Sequence, residues 1–225
     1  MSRPSDERQV PVPNRDPLTW GRAEKSGGES ISKLLRIAIL FYLGMGLAGL
    51  IWMTLRGDFG GGDPATPAPL QEGLRAIFLG PKPLFAAAVG VALGLLLVAV
   101  TRLLEGWGPI EQLLDGFANV LGRVTPLQAI VLALVSSIGE ELLFRGALQP
   151  WLGLWATSAI FGVCHFPPDR QFLAWPIFAF AAGLGLGYTA EASTSLIAPI
   201  VAHFLVNWIN LRYIARVAKV QAKGG

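Results

Sequence analysis

The most informative part of the sequence is residues 127–149, LQAIVLALVSSIGEELLFRGALQ. Its length matches the roughly 20 residues that a helix needs to span about 30 Å of hydrocarbon. It nevertheless contains two adjacent carboxylates, Glu140 and Glu141, and a guanidinium, Arg145. A charged side chain at the centre of a bilayer costs about 3 kcal/mol on insertion scales, so charges in such a helix face a protein interior or a wet cavity. The stretch therefore predicts a membrane helix that contributes to a functional site.

The rest of the chain has the composition of a membrane protein. Of its 225 residues, 52% are hydrophobic and 15% are charged, whereas a soluble domain carries about 25% charged residues. Apolar runs recur along the sequence at 37–55, 84–101, 127–149, 151–165, 172–190 and 196–211. We therefore predict an all-α membrane protein, a polytopic bundle of about six transmembrane helices.

The apolar runs divide the chain into four regions. Residues 1–33 are polar and rich in Pro, Arg, Glu and Ser, so we expect them to form a disordered cytoplasmic tail. So long a polar segment does not resemble a secretory signal. Residues 34–124 should form two transmembrane helices, the loop between them and an amphipathic segment at 106–125 that lies at the membrane interface. The remaining four helices fall within 125–217, and 218–225 should be a basic tail.

The basic residues gather at the two ends of the chain and indicate its orientation. Lysines and arginines precede the first apolar run and follow the last one. Six spans with both termini in the cytoplasm satisfy the positive-inside rule. We expect a multi-pass protein of the cell membrane whose basic ends contact lipid headgroups, because this distribution suits anionic lipids better than a nucleic acid.

The ionisable residues of the apolar runs could act together. Both histidines of the chain, His165 and His203, lie in such runs. Glu141 and Arg145 are four residues apart, so they share a helix face and can form an ion pair. Glu140 is rotated by about 100° from Glu141 and can face a different helix. A spare carboxylate and two imidazoles are groups that general acid–base catalysis uses.

Each of these residues also has a structural interpretation. Glu141 and Arg145 could form an ion pair that only stabilises the bundle. A lone buried histidine is more often structural than catalytic, but two histidines on separate helices beside a spare glutamate favour a shared site. Asn207 lies four residues after His203 and could simply hydrogen-bond one helix to another.

Three short motifs follow one another on separate apolar runs. They are Glu140-Glu141-Leu-Leu-Phe-Arg145, Phe161-Gly-Val-Cys-His165 and His203-Phe-Leu-Val-Asn207. In this order they resemble the three signatures of the CAAX-protease and bacteriocin-processing (CPBP, or Abi) intramembrane proteases. Each motif alone is weak, whereas the ordered set is specific. The resemblance covers residues 125–211 and does not extend to the two N-terminal spans.

The resemblance implies an intramembrane endopeptidase in which the four C-terminal helices form the catalytic core. Glu140 would activate the attacking water, and His165 would help to hold or deprotonate it. His203 and Asn207 would stabilise the oxyanion of the tetrahedral intermediate. The residues in a supporting role would be Glu141, Arg145 and Phe161. The implied substrate is a membrane-tethered peptide or protein, such as a prenylated or otherwise lipid-anchored chain.

Two mechanisms are open for such a site. Glu140, His165 and His203 match the two-histidine, one-carboxylate ligand set of a zinc site with an open water position. Alternatively, the carboxylate activates water without a metal. The His-Glu-x-x-His helix of soluble zinc proteases is absent from the sequence, so a zinc site would depend on the convergence of three helices.

Other classes of protein could use the same residues. In a transporter or proton relay they would shuttle protons, although the sequence lacks the internal repeats that many transporters have. A relative without activity could serve as a scaffold or an immunity factor.

The depth of the site residues in the membrane does not agree with a simple six-helix arrangement. Counting along the helices places His165 nearer one membrane face and Glu140 and His203 nearer the other. A tilted or re-entrant fourth helix would reconcile them.

Overall fold

The computed structural model describes residues 17–59, 70–122, 124–166 and 172–224. These residues form helices joined by turns, with no strand among them. The helices are α1 (Pro17–Arg56), α2 (Leu70–Leu79), α3 (Pro83–Leu103), α4 (Gly108–Leu121), α5 (Pro126–Glu141), α6 (Gln149–Cys164), α7 (Ala174–Ser193) and α8 (Ile197–Gly224). A π-helical segment, Leu142–Leu148, joins α5 to α6.

The described chain contains four stretches that are long and apolar enough to cross a membrane, Ser32–Arg56, Gln71–Leu103, Pro126–Cys164 and Ile197–Val220. The predicted all-α membrane fold is therefore confirmed. Their number differs from the expected six for two reasons. The predicted runs at 127–149 and 151–165 fall almost entirely within one apolar stretch, although the chain turns back inside it at Gly153. α7 is not among the four, since glycine and polar residues occupy much of its second half.

Both predicted tails are helical where the structure describes them. α1 begins at Pro17, so residues 17–33 are not the disordered tail that we expected, and residues 1–16 of that tail lie outside the described chain. Proline fits the first turn of a helix, and no further proline occurs in α1 to end it. α8 likewise extends to Gly224 and includes most of the predicted basic tail.

The loop expected between the first two spans contains a short helix, α2. Its apolar residues Leu74, Ile77 and Phe78 pack against a buried cluster that includes Met53, so burial of one face accounts for the helix. Farther along the chain, the predicted amphipathic segment at 106–125 contains α4, which packs against α7 and α8.

α1 crosses α5 and the π segment at a distance that only glycine allows. A Cβ atom on Gly49 would lie 2.7 Å from the backbone carbon and oxygen of Leu142. One on Gly139 would lie 2.3 Å from the carbonyl oxygen of Tyr42. Small residues let membrane helices approach closely. The N-terminal helix is therefore packed directly against the helix that carries Glu140.

The chain reverses direction at Gly153, inside the stretch assigned to α6. Its φ of 77° lies in a region that glycine adopts readily. Pro150 has no N–H to donate to the carbonyl of Gly146 one turn earlier. Arg56 of α1 compensates, because its guanidinium donates to the carbonyl oxygens of Gly146 and Ala147 at 2.7 and 2.6 Å. Backbone groups freed at membrane depth need such partners.

This reversal brings His165 to the depth of Glu140. Glu140 lies thirteen residues before Gly153 and His165 lies twelve after it, so a rise of about 1.5 Å per residue places both at similar depth. One turn nearer the reversal, the rings of Phe144 and Phe161 are in contact, with centroids 4.9 Å apart. The depth mismatch that we expected for His165 is therefore wrong, because α6 returns only about 18 Å from the reversal.

The glycine contact between α1 and α5 can be tested with two matched substitutions in α1. Gly49→Ala places a methyl group against the Leu142 backbone, and we expect it to lower the free energy of unfolding by about 1–3 kcal/mol. Nothing lies within 4 Å of a Cβ on Gly44, so Gly44→Ala should raise that free energy by about 0.5–1 kcal/mol through helix propensity. Unfolding in mixed detergent micelles measures both, and equal effects would contradict the described crossing.

Candidate active site

A single buried carboxylate, Glu141, joins two helices of the site. Arg145 Nη1 donates to Glu141 Oε1 at 3.0 Å, and His203 Nδ1 of α8 lies 2.7 Å from the same oxygen. Arg145 Nη2 also donates to the carbonyl oxygen of Gly183 in α7, at 3.1 Å. The side chains of Glu141 and Arg145 are fully buried. The ion pair expected from the four-residue spacing is therefore present, and it also fixes the ring of His203.

Both imidazoles are held at Nδ1 and direct Nε2 towards Glu140. His165 Nδ1 lies 2.7 Å from the carbonyl oxygen of Phe161. Because a carbonyl oxygen can only accept, this nitrogen carries the proton and the lone pair of a neutral ring is at Nε2. The Nε2 atoms of His165 and His203 lie 3.8 and 3.7 Å from Glu140 Oε2. One carboxylate oxygen thus faces two imidazole nitrogens from separate helices.

Glu140 carries a buried carboxylate oxygen without a partner in the described part of the chain, as Glu141 does at its Oε2 atom. It is 4% exposed, and its Oε2 atom has no hydrogen-bond partner among the described residues. The distances to the two imidazoles exceed the range of a direct hydrogen bond. Because buried polar atoms almost always have a partner, an unsatisfied carboxylate oxygen between two imidazoles indicates a place where a water or a substrate group binds.

α1 contributes a residue that sequence reasoning missed. Tyr42 of α1 lies close enough to Glu140 to interact electrostatically with its carboxylate. The contact follows from the close approach of the two backbones at Gly139. No pattern in the sequence indicates which helix faces Glu140, so this partner could not be predicted from spacing.

Asn207 lies at the site but hydrogen-bonds outside the charged group. Its Nδ2 donates to Ser136 Oγ at 2.9 Å. Ser136 is one turn before Glu140 on α5, so a four-residue spacing was the signal that could have identified it. Asn207, His165 and His203 line a cavity of about 50 Å³ whose other walls are apolar or aromatic. This cavity gives the two imidazoles a space large enough for a water or a small group.

Phe161 supports the site through its ring. The ring centroid lies 4.5 Å from that of His165 and 4.4 Å from the guanidinium carbon of Arg145. A cation over an aromatic face is attracted to it, so the ring stabilises Arg145 while it fixes the rotamer of His165. On its other side, His165 contacts Trp175 of α7, with ring centroids 5.1 Å apart.

A larger cavity, of about 480 Å³, lies farther along the bundle. Arg145 and Gln149 are on its wall, together with Arg56, Asp58 and Glu191 nearer the helix ends. Neither histidine nor Glu140 borders it. The two imidazoles therefore face the smaller cavity, whereas the larger one is bordered by charged residues of other parts of the bundle.

The structure brings the residues singled out from the sequence into one cluster. The members in mutual contact are Glu140, Glu141, Arg145, Phe161, His165 and His203. Asn207 shares a cavity wall with both imidazoles. The chemical role of each residue stays a prediction.

The same side chains are spaced slightly more widely than a zinc site needs. Ligands about 2.0–2.2 Å from a tetrahedral zinc lie about 3.3–3.6 Å from one another, whereas Glu140 Oε2 is 3.7 and 3.8 Å from the two imidazole nitrogens. Within the described ranges, no three His, Cys, Asp or Glu residues are grouped closely enough to hold a metal ion. The described geometry therefore does not support Glu140, His165 and His203 as a zinc site.

Comparisons with known proteins match part of the chain. Residues 122–209 match the family model for type II CAAX prenyl endopeptidase Rce1-like proteins. The chain is also 30% identical over 122 residues to the uncharacterized protein YpbD of Bacillus subtilis (strain 168). That alignment covers 52% of this chain and 63% of the relative, so the chain spans less than two thirds of the relative's length. No solved structure gives a significant match.

The buried ion pair predicts a large effect on stability. Arg145→Met keeps most of the side-chain volume but leaves Glu141 without its cation, and removing one partner of a buried pair costs about 3–5 kcal/mol. The control is Arg102→Met, because Arg102 pairs with Glu105 at a site where its side chain is 27% exposed. Its loss should cost about 1 kcal/mol. Equal losses in equilibrium unfolding would show that Glu141 does not depend on Arg145.

Proposed function

Because residues 122–209 of this chain belong to the Rce1-like family, we propose that the protein is an intramembrane endopeptidase. It hydrolyses a peptide bond of a membrane-associated substrate with a water that Glu140 activates. The family match supports CAAX-type protease activity at the level of the family. The substrate and the roles of individual residues are our proposal.

The observation that carries the mechanism is the position of Glu140 Oε2. This buried oxygen has no hydrogen-bond partner in the described chain and faces the Nε2 atoms of His165 and His203 at 3.8 and 3.7 Å. Atoms at these separations can share one bridging water, at about 2.8 Å from each. A buried carboxylate that holds a water between two imidazoles can act as its general base.

In the first step, the water attacks the carbonyl carbon of the scissile bond. Its oxygen forms the new bond while Glu140 accepts its proton, and the lone pair of His165 Nε2 keeps the water oriented. Phe161 O fixes the His165 ring by accepting from Nδ1. The positioning of water and base before the reaction is what lowers the barrier.

The second step uses the other side of the cavity. When His203 carries a proton on both ring nitrogens, its Nε2 donates to the oxyanion. The Glu141 carboxylate, which accepts from Nδ1, compensates the positive charge of the ring. Asn207 has a second Nδ2 hydrogen available beyond the one donated to Ser136, so it can donate to the same oxygen. The C–N bond then breaks as Glu140 returns the proton to the leaving nitrogen.

The residues that line the cavity indicate which kind of substrate residue it can accept. Leu97, Phe178 and Val206 line the cavity beside the imidazoles, which suits an apolar residue next to the scissile bond. A substrate anchored in the membrane, by a prenyl group or another lipid, reaches such a site without leaving the bilayer. Both termini of the chain lie on the cytoplasmic side of the cell membrane in this proposal, as the positive-inside rule predicts.

Three substitutions test the assigned roles. Purified protein in liposomes is incubated with peptides anchored by a C-terminal farnesyl group, and with the same peptides anchored by a transmembrane helix. Glu140→Gln and His203→Ala should each lower kcat at least 100-fold, since general-base catalysis contributes about 10²–10⁴ and an oxyanion donor about 10²–10³. Glu105→Gln is the control, because Glu105 pairs with Arg102 away from the cavity. Cleavage at the wild-type rate by the first two variants would refute the mechanism.

A chelator distinguishes the two mechanisms that the sequence left open. We expect cleavage by the wild type to continue unchanged after dialysis against a strong chelator, because the proposed water is activated by Glu140 alone. Zinc added afterwards should not increase the rate. Activity that is lost with the chelator and restored by zinc would contradict the metal-free proposal.

A further inference from the structure

The larger cavity, of about 480 Å³, lies where two helices of the bundle end. Met53 and Arg56 border it at the end of α1, and Ala190 and Glu191 border it in the last turn of α7. Arg56 is also the last residue of the first membrane-spanning stretch, so the cavity lies at one membrane interface. Cavities of this size accommodate small ligands. A headgroup at the membrane surface can therefore reach it.

The charges on the cavity wall leave one carboxylate without a cation. Arg56 pairs with Asp58, and Arg145 pairs with Glu141, which does not itself border the cavity. Glu191 is exposed and has no cation within ion-pair distance among the described residues. Since the two pairs are neutral, Glu191 gives the wall a net negative charge.

The position of Glu191 in α7 adds to this negative charge. α7 ends at Ser193, and its last turn contains no basic side chain. The carbonyl groups at the C-terminal end of a helix carry a partial negative charge, which a nearby cation stabilises and a nearby carboxylate does not. A carboxylate in the last turn of α7 thus favours the binding of a cation that comes from outside the chain.

Gln149 holds this carboxylate in place from the interior of the bundle. The residue is 5% exposed, and its Nε2 donates to Glu191 Oε1 at 2.8 Å and to the carbonyl oxygen of Gly187 at 3.0 Å. A Cβ on Gly187 would lie 2.5 Å from Gln149 Oε1, so this orientation of the amide depends on the glycine. A buried amide thereby orients an exposed carboxylate, which makes Glu191 a fixed hydrogen-bond acceptor at the cavity.

Apolar residues and exposed tryptophans complete the surroundings of the cavity. Met53, Ile77 and Leu196 are on its wall. Trp52 and Trp151 adjoin lining residues in the sequence, are exposed, and have ring centroids 5.9 Å apart. Tryptophans are enriched at membrane interfaces. A ligand that matches this wall has a cationic group for Glu191 and an apolar part beside it.

We propose that the larger cavity binds the headgroup of a phospholipid that carries a primary ammonium group, such as phosphatidylethanolamine. The ammonium donates to the Glu191 carboxylate, and the glycerol end of the acyl chains contacts the apolar wall. A choline headgroup has no N–H to donate. It is recognised instead by aromatic cages, and none of the described residues on this wall is aromatic. The cavity is therefore selective for ethanolamine over choline.

The test measures this selectivity directly. Purified protein in mixed micelles receives equal amounts of phosphatidylethanolamine and phosphatidylcholine with identical acyl chains, and native mass spectrometry counts the bound lipids. The wild type should retain the ethanolamine lipid about tenfold more than the choline lipid, the ratio that one hydrogen bond to a charged group accounts for. Glu191→Gln should bring the two lipids to within about twofold of each other. Glu105→Gln, whose carboxylate pairs with Arg102 away from the cavity, should keep the wild-type ratio.

Thermal unfolding and a soluble peptide with one lysine complete the experiment. Because Glu191 is exposed, Glu191→Gln should unfold at the wild-type temperature, and a lost preference then reports on binding and not on folding. Equal retention of the two lipids by the wild type would overturn the proposal, as would an unchanged ratio in Glu191→Gln. Binding of the peptide that depends on Glu191, without a preference between the lipids, would assign the cavity to peptides instead. None of these measurements requires cleavage, so they test the lipid site independently of the proposed function.

Discussion

The charge of Glu141, buried among helices, is the constraint on which the site depends. A carboxylate at this depth is tolerated only when cations and donors compensate the loss of water. Arg145 supplies one compensation from the π segment and His203 supplies the other from α8. By accepting from both, Glu141 ties α5 to α8 and sets the direction of the His203 ring. The neighbouring carboxylate, Glu140, is thereby left without a cation of its own and free to bind water.

The residues of the site could be predicted because charged and polar side chains are costly within a membrane helix and therefore indicate a function. Glu140, Arg145 and the two histidines stand out against an apolar background, and helical spacing indicates which of them share a face. Helical spacing does not indicate which other helix faces Glu140. Tyr42 is one of three tyrosines in the chain, and only the three-dimensional packing distinguishes it from the other two.

The path of the chain through the bundle was harder to predict than the fold class. The two apolar runs 127–149 and 151–165 are divided by Pro150. A proline can nevertheless remain inside a helical stretch when a side chain donates to the carbonyl oxygen that the proline leaves without a donor, as Arg56 does for Gly146. The actual reversal occurs at Gly153, where a positive φ is required. With 27 glycines in the chain, composition cannot tell which one turns the backbone. The predicted depth of His165 failed for this reason.

The tight crossing of α1 over α5 limits how the chain could be divided into modules. The segment that the family model matches starts at residue 122, yet Gly139 and Leu142 within it pack closely against a helix from before that boundary. A fragment that began at residue 122 would expose to lipid the surface on which α1 packs. The boundary of the family match and the boundary of the packed bundle therefore differ in this protein, and an N-terminal helix exchanged between relatives would have to conserve a glycine face in matching register.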